Sequence, residues 1–170
     1  MVKKDDDTCS FCVDFRKLNQ VTIHDLYPLP RIDDLLDQLG CSKYFTSIDL
    51  AAKYWQIPMD PRDAHKTTFR TRRGLFQFNR MPFGLSDACN TFQRMANSIF
   101  VDLIADDTML IYLDDILIHT STWPQHIQVL QSVLQRIRQH NLKLQWKKCI
   151  WGSTHVKFLG YRWTQRTPRP

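Results

Sequence analysis

Asp114 and Asp115 interrupt the stretch MLIYLDDILIH, residues 109–119, which is otherwise Ile, Leu and Met with one Tyr and a closing His. Short apolar runs of this kind form buried strands. Two adjacent carboxylates there repel each other and lose hydration. Three arrangements relieve the conflict. The pair can sit in a turn, where Asp accepts from nearby backbone N–H groups, it can be salt-bridged, or it can hold a divalent cation. Mg²⁺ takes hard oxygen ligands, usually a few carboxylates completed by substrate phosphates. A second acid occupies the same kind of position: Asp49 ends the apolar run of YFTSIDLA, residues 44–51. If the two strands are neighbours, their ends bring these acids to one site. Two ions held about 3.5–4 Å apart suit in-line transfer at phosphorus.

The elements that must position these acids follow from hydrophobic periodicity. FCVDF (11–15) alternates and predicts a strand, and YPLPRI (27–32) an extended link, since each Pro disfavours helix at the residue before it. RIDDLLDQLG (31–40) places Ile32, Leu35, Leu36 and Leu39 at helical spacing and closes on Gly40. KYFTSIDLA (43–51) has strand composition. KTTFRTRRGLFQFN (66–79) reads as a hairpin around Arg73-Gly74. SDACNTFQRMANSIFVDLI (86–104) predicts one helix, capped by Ser86 or Asp87, with Phe92, Met95, Ile99 and Leu103 inward. MLIYL and ILIHT form a hairpin with the Asp pair at its turn. PQHIQVLQSVLQRIRQHN (124–141) predicts a helix burying Ile127, Leu130, Leu134 and Ile137, and LKLQW and VKFLGYRW predict short strands. The expected fold class is α+β, built on an antiparallel sheet.

Composition narrows the partners. At 170 residues, 43% hydrophobic and 24% charged, the chain suits one compact folding unit. No apolar stretch reaches the roughly 18 residues of a membrane span, and MVKKDDDTC lacks the apolar core of a signal peptide. Five cysteines cannot all pair, which favours reduced thiols in a cytoplasmic or nuclear setting. Cys9 and Cys12 form a C-x-x-C without a second half-site, so no zinc or redox role is expected of them. Residues 136–170 carry nine of the 23 Lys and Arg and no acid, leaving 14 bases against all 17 acids in the rest. A basic segment interleaved with aromatics, as in WKK and YRW, suggests a nucleic-acid partner. With a two-metal site, that partner means a polymerase or a nuclease.

CVDFRKLN (12–19), YPLPRIDDLLDQLG (27–40), YFTSIDLAAKYWQIPM (44–59), KTTFRTRRGLFQFNRMPFGL (66–85), TFQRM (91–95), YLDDILI (112–118) and FLGY (158–161) occur in that order. Together they resemble the reverse transcriptase domain of Gypsy-type LTR retrotransposons, over residues 2 to about 163. The resemblance implies a right-hand polymerase palm, an antiparallel sheet backed by helices, with partial fingers. Residues 1–24 and 57–87 would be fingers, 25–56 and 88–164 palm, and 165–170 a tail toward a thumb absent from this chain. It implies an RNA-directed DNA polymerase that extends a DNA primer on an RNA or DNA template with dNTPs, using two Mg²⁺ ions or Mn²⁺. Thumb and RNase H would belong to the rest of a pol polyprotein, in a cytoplasmic virus-like particle or the nucleus, with no membrane partner. Asp49, Asp114 and Asp115 match the catalytic, metal-binding triad. Lys3, Ala52, Lys53, Tyr54 and Phe83 match nucleotide-binding positions, Tyr54 being the ring that excludes a 2′-hydroxyl. Phe158, Leu159, Gly160 and Tyr161 match the primer grip.

Several positions depart from the family pattern. Ser10 replaces the Arg that grips the triphosphate, Cys9 a Trp, and Asp7 the fingertip Gly. Lys53 replaces a small residue, and Cys89 the Pro that starts a helix. These changes surround the nucleotide and spare the triad. The expected outcome is weak or absent turnover by this chain alone, with a non-catalytic nucleic-acid-binding or interaction module as the alternative.

Overall fold

The computed structural model describes residues 2–3, 9–10 and 12–164, the first four by their backbone alone. In chain order the elements are β1 (Val2–Lys3), β2 (Cys9–Ser10), α1 (Arg16–Val21), α2 (Ile32–Gln38), β3 (Tyr44–Ile48), α3 (Pro61–Ala64), β4 (Phe69–Thr71), β5 (Gly74–Phe76) and α4 (Ala88–Ile99). There follow α5 (Val101–Ala105), β6 (Met109–Tyr112), β7 (Asp115–Thr120), α6 (Trp123–Gln139), β8 (Ile150–Ser153), β9 (His155–Phe158) and β10 (Tyr161–Thr164). They fall into two units, one of Met1–Leu26 with Ala52–Thr91 and one of Tyr27–Ala51 with Phe92–Pro170.

In the first unit the strand expected over 11–15 is absent from the described residues 12–15. Asp14 accepts from the backbone N–H of Arg16 at 3.0 Å and from its guanidinium at 2.7 Å, a local turn that leads the chain into α1 instead. That carboxylate is held at about 2, well below its ordinary range, first by the side-chain bond from Arg16. Asn19 then reaches across the unit, donating to the Gly84 carbonyl at 2.8 Å and accepting from Ser86 N–H at 3.0 Å. Gly84 has φ +94, a conformation that favours glycine, and this clamp fixes the loop after Phe83. The expected hairpin forms as β4 against β5, with Phe69 opposite Phe76 and Arg72-Arg73 as its turn.

The second unit is built on a four-stranded antiparallel sheet ordered β6-β7-β3-β8. Leu35 and Leu39 from the α2 region, Phe45, Leu110, Leu117, Val156 and Phe158 form its buried cluster. The helix expected over 86–104 is broken at the buried Phe100 into α4 and α5. Arg136 takes the Ile99 carbonyl at 2.9 Å and pairs with Asp102, so one base of the C-terminal segment is spent within the fold. α6 buries His126, Val129, Val133 and Ile137, a face turned by one residue from the apolar stripe. The reason is that His126 is satisfied in the core: Thr46 and Thr120 hydroxyls meet its two ring nitrogens at 2.8 and 2.9 Å. LKLQW contributes only the bridge of Leu144 to Leu50, then a 3₁₀ turn at Trp146–Lys148. The fourth strand is β8 instead, and VKFLGYRW folds as the β9–β10 hairpin.

Candidate active site

In the second unit, β3 and β7 pair from Tyr44 with Thr120 to Ile48 with Ile116. The pairing stops there, so Asp49 directly follows the last paired residue of β3 and Asp115 directly precedes Ile116 on β7. β6 pairs with β7 as far as Tyr112 and Asp115, so Leu113-Asp114 is the two-residue turn. The two apolar strands are therefore neighbours and the acids lie at one end of the sheet. Asp114 and Asp115 are exposed and Asp49 is half-buried. Among the described residues no group of three or more His, Cys, Asp or Glu side chains could hold a metal ion by itself.

The turn is braced from α4. Leu113 adopts φ 51, a left-handed conformation that costs a non-glycine residue about 1–2 kcal/mol. Gln93, fully buried, accepts from Leu113 N–H at 2.7 Å and donates to the Ile111 carbonyl at 2.9 Å. A further bond runs from its amide to Asn97 Oδ1 at 3.0 Å. Sequence reasoning missed Gln93. The available signal was a polar residue directly following Phe92 on a buried helix face. It also missed Cys149 and Gln145, which hold the backbone of Asp49. Gln145 N–H donates to the Asp49 carbonyl at 2.8 Å, and Asp49 N–H points at Cys149 Sγ at 3.4 Å. At the other end of β7, His119 is buried against the Ser42 hydroxyl at 2.9 Å, and burial pushes its pKa down to about 4.

The expected nucleotide-binding residues that are described lie in the first unit. Ala52, at φ 45, opens a 3₁₀ turn over Lys53–Gln56. The Tyr54 ring meets Phe83 edge-on at 5.2 Å, and the Lys53 ammonium lies 4.7 Å from the Tyr54 ring centre. The Tyr54 hydroxyl stands 3.0 Å from Cys89 Sγ. Burial, then this contact, raises the phenol pKa above its ordinary value. Lys3 is described only as backbone of β1, and its side chain lies outside the described residues, as does that of Ser10.

Phe158 and Tyr161 face each other at the base of the β9–β10 turn, where Leu159 and Gly160 both take positive φ. Phe158 is core and Leu159 packs on that core, while Gly160 and Tyr161 are exposed. Only part of this quartet is therefore available to a ligand.

The family model for reverse transcriptase (RNA-dependent DNA polymerase) matches residues 2–163. The chain belongs to the reverse transcriptase family. It is 44% identical over 149 residues to the retrovirus-related Pol polyprotein from transposon 297 of Drosophila melanogaster, covering 88% of this chain and 14% of that polyprotein. It is 35% identical over 165 residues to the transposon Tf2-3 polyprotein of Schizosaccharomyces pombe, covering 97% of this chain and 12% of that one. The chain thus spans a small fraction of these retrotransposon Pol relatives. Among solved structures, native prototype foamy virus protease-reverse transcriptase superposes with a TM-score of 0.82 at 25% identity, over 97% of this chain and 22% of its own. Foamy viral protease-reverse transcriptase in complex with RNA/DNA hybrid gives 0.80 at 23% identity, over 89% and 20%. This reverse transcriptase domain has the α+β polymerase fold of palm and fingers.

Proposed function

We propose that the chain carries the nucleotidyl-transfer centre of a reverse transcriptase, extending a DNA primer on an RNA or DNA template with dNTPs. The observation that supports this reading is the β3–β7 pairing, which ends at Ile48 and Ile116, with Asp49 following the one, Asp115 preceding the other and Asp114 in the adjoining turn. Carboxylates on adjoining strand ends are a hard-oxygen donor set. They fit Mg²⁺ or Mn²⁺, which take one or two protein carboxylates and complete their shell with water and phosphate oxygens. In this reading Asp49 and Asp114 hold the ions and Asp115 supports the site. Bound divalent ions supply activation of the primer 3′-hydroxyl and neutralisation of the triphosphate. Gln93 keeps the turn, and with it Asp114, in place for in-line attack, whose rate depends on holding the reacting atoms near contact distance. Tyr54, backed by Phe83, reads the sugar of the dNTP. Residues 1–24 and 57–87 act as fingers and 25–56 with 88–164 as palm. The exposed Gly160 and Tyr161 serve the primer. The complexes of the foamy viral enzyme with RNA/DNA hybrid and double-stranded DNA support nucleic acid as the partner.

Turnover by this chain alone is slow. Ser10 offers no guanidinium to the triphosphate. The Lys53 ammonium covers one face of the ring assigned to the sugar. Mn²⁺ titration followed by the EPR signal of free ion, with dNTP and primer–template present, tests the site. Asp49→Asn and Asp114→Asn each remove a bound ion, whereas Asp37→Asn, an exposed acid on α2, leaves binding unchanged. Equal binding by all three variants overturns the assignment.

A further inference from the structure

A ring that bars a 2′-hydroxyl does so only as firmly as it is itself held, because the larger sugar enters at the cost of pushing the ring aside. Tyr54 is met from three sides, all within the first unit. Phe83 packs against it edge-on at 5.2 Å. The Lys53 ammonium lies over its face, 4.7 Å from the centre. Its hydroxyl stands 3.0 Å from Cys89 Sγ, in the first turn of α4. Lys53, Tyr54 and Cys89 are all half-buried, so water competes only in part for these contacts. Lys53 rides the same 3₁₀ turn as Tyr54, and Asn19 clamps the loop after Phe83. Lys53 and Cys89 both depart from the family pattern, a small residue and a proline being usual there. Neither usual side chain can lay a cation on the ring or bond to the phenol.

We infer that Lys53 and Cys89 are positioning residues that set how strongly Tyr54 discriminates against ribonucleotides, by raising the cost of displacing its ring. The inference rests on the reverse transcriptase reading, in which Tyr54 faces the sugar of the incoming nucleotide. A deoxyribonucleotide leaves the ring in place and both contacts intact. A ribonucleotide must move the ring and break them. What slows both sugars alike, such as Ser10 in place of Arg, cancels in the ratio of the two. The two departures thus act on the choice of nucleotide separately from their cost in rate.

The test is single-nucleotide addition to a labelled primer–template with Mn²⁺, reading the ratio of kcat/KM for a matched dNTP to that for the rNTP of the same base. This ratio does not depend on how much of the protein is folded, so a loss of stability alone leaves it unmoved. Cys89→Ala lowers the deoxyribonucleotide preference about fivefold, as expected for one lost hydrogen bond, and Cys89→Ser retains it. Lys53→Met, which keeps the stem and loses the charge, lowers it about threefold, the size of a modest cation–π contact. Lys53→Arg retains it. In a Tyr54→Ala background neither substitution lowers the ratio further. Without nucleotide, the three-bond couplings that report the Tyr54 χ1 angle shift toward rotamer averaging in Cys89→Ala and Lys53→Met. Ratios unchanged in those two variants overturn the inference and leave the reverse transcriptase reading standing. So do couplings identical to those of the unaltered chain, a fall that Cys89→Ser and Lys53→Arg share, or a further fall in the Tyr54→Ala background. No templated addition of either sugar overturns the reverse transcriptase reading, and the inference with it.

Discussion

Replacing Gln93 with Leu keeps volume and helix propensity but strands two backbone groups, the Leu113 N–H and the Ile111 carbonyl. A buried polar group without a partner costs about 1–3 kcal/mol. Leu113 is only half-buried, so water recovers part of its share, and the expected loss is about 2–4 kcal/mol. That is a large fraction of the ~5–15 kcal/mol that holds a domain together. The loss is also local, because Gln93 holds the N–H of the left-handed Leu113 at the turn that carries Asp114. Urea unfolding reads the global loss, and amide hydrogen exchange reads the local one. In Gln93→Leu the Leu113 amide should exchange at least about tenfold faster, the equivalent of roughly 1.4 kcal/mol, while the mid-strand amides of Leu117 and Ile118 change only with global stability. Gln93→Glu retains the acceptor for Leu113 and loses the donor to Ile111, so it should protect Leu113 and still unfold earlier. If Leu113 exchanges at the same rate in the unaltered chain and in Gln93→Leu, the brace is not what holds the turn.

Acid should weaken the fold through His119. Its folded-state pKa of about 4 lies below the ordinary 6.5 because burial disfavours the charged ring. It therefore has no effect above about pH 7. Stability falls as the unfolded chain takes up a proton between roughly pH 6.5 and 4, by about 2 kcal/mol at pH 5. His119→Gln should lose that much less between pH 7 and 5 in urea unfolding, and an unchanged pH dependence would refute the burial argument. Cys89→Ala should bring the raised Tyr54 pKa part of the way back toward 10 and Cys89→Ser should keep it raised, as read by the ¹³Cζ shift of Tyr54. Identical titrations in all three proteins would mean that the sulfur contact does not act on the phenol.

The acids were legible because the apolar pattern on each side of them sets the strands, and pairing of apolar faces sets the register. Residue types alone thus put Asp49, Asp114 and Asp115 at strand ends, and the pairing of β3 with β7 makes those ends neighbours. What braces them was not legible. Gln93 and Cys149 act through contacts 18 to 100 residues away in sequence, and nothing local marks them. His126 was not singled out because its two hydroxyl partners come from β3 and β7, and with them its burial costs little. The alternation of residues 11–15 misled for the opposite reason: among the described residues 12–15, a short-range Asp14–Arg16 turn outcompeted the strand. Leu113 and Leu159 take left-handed turns that glycine usually fills, which only their surroundings explain.

The most direct measurement is addition of a single nucleotide to a labelled primer on an RNA template, followed over hours with Mn²⁺ and each dNTP in turn. The account predicts slow addition of the nucleotide complementary to the template base, dependent on the metal and abolished by Asp114→Asn. Addition that ignores the template base, addition that survives Asp114→Asn, or none at all would contradict it.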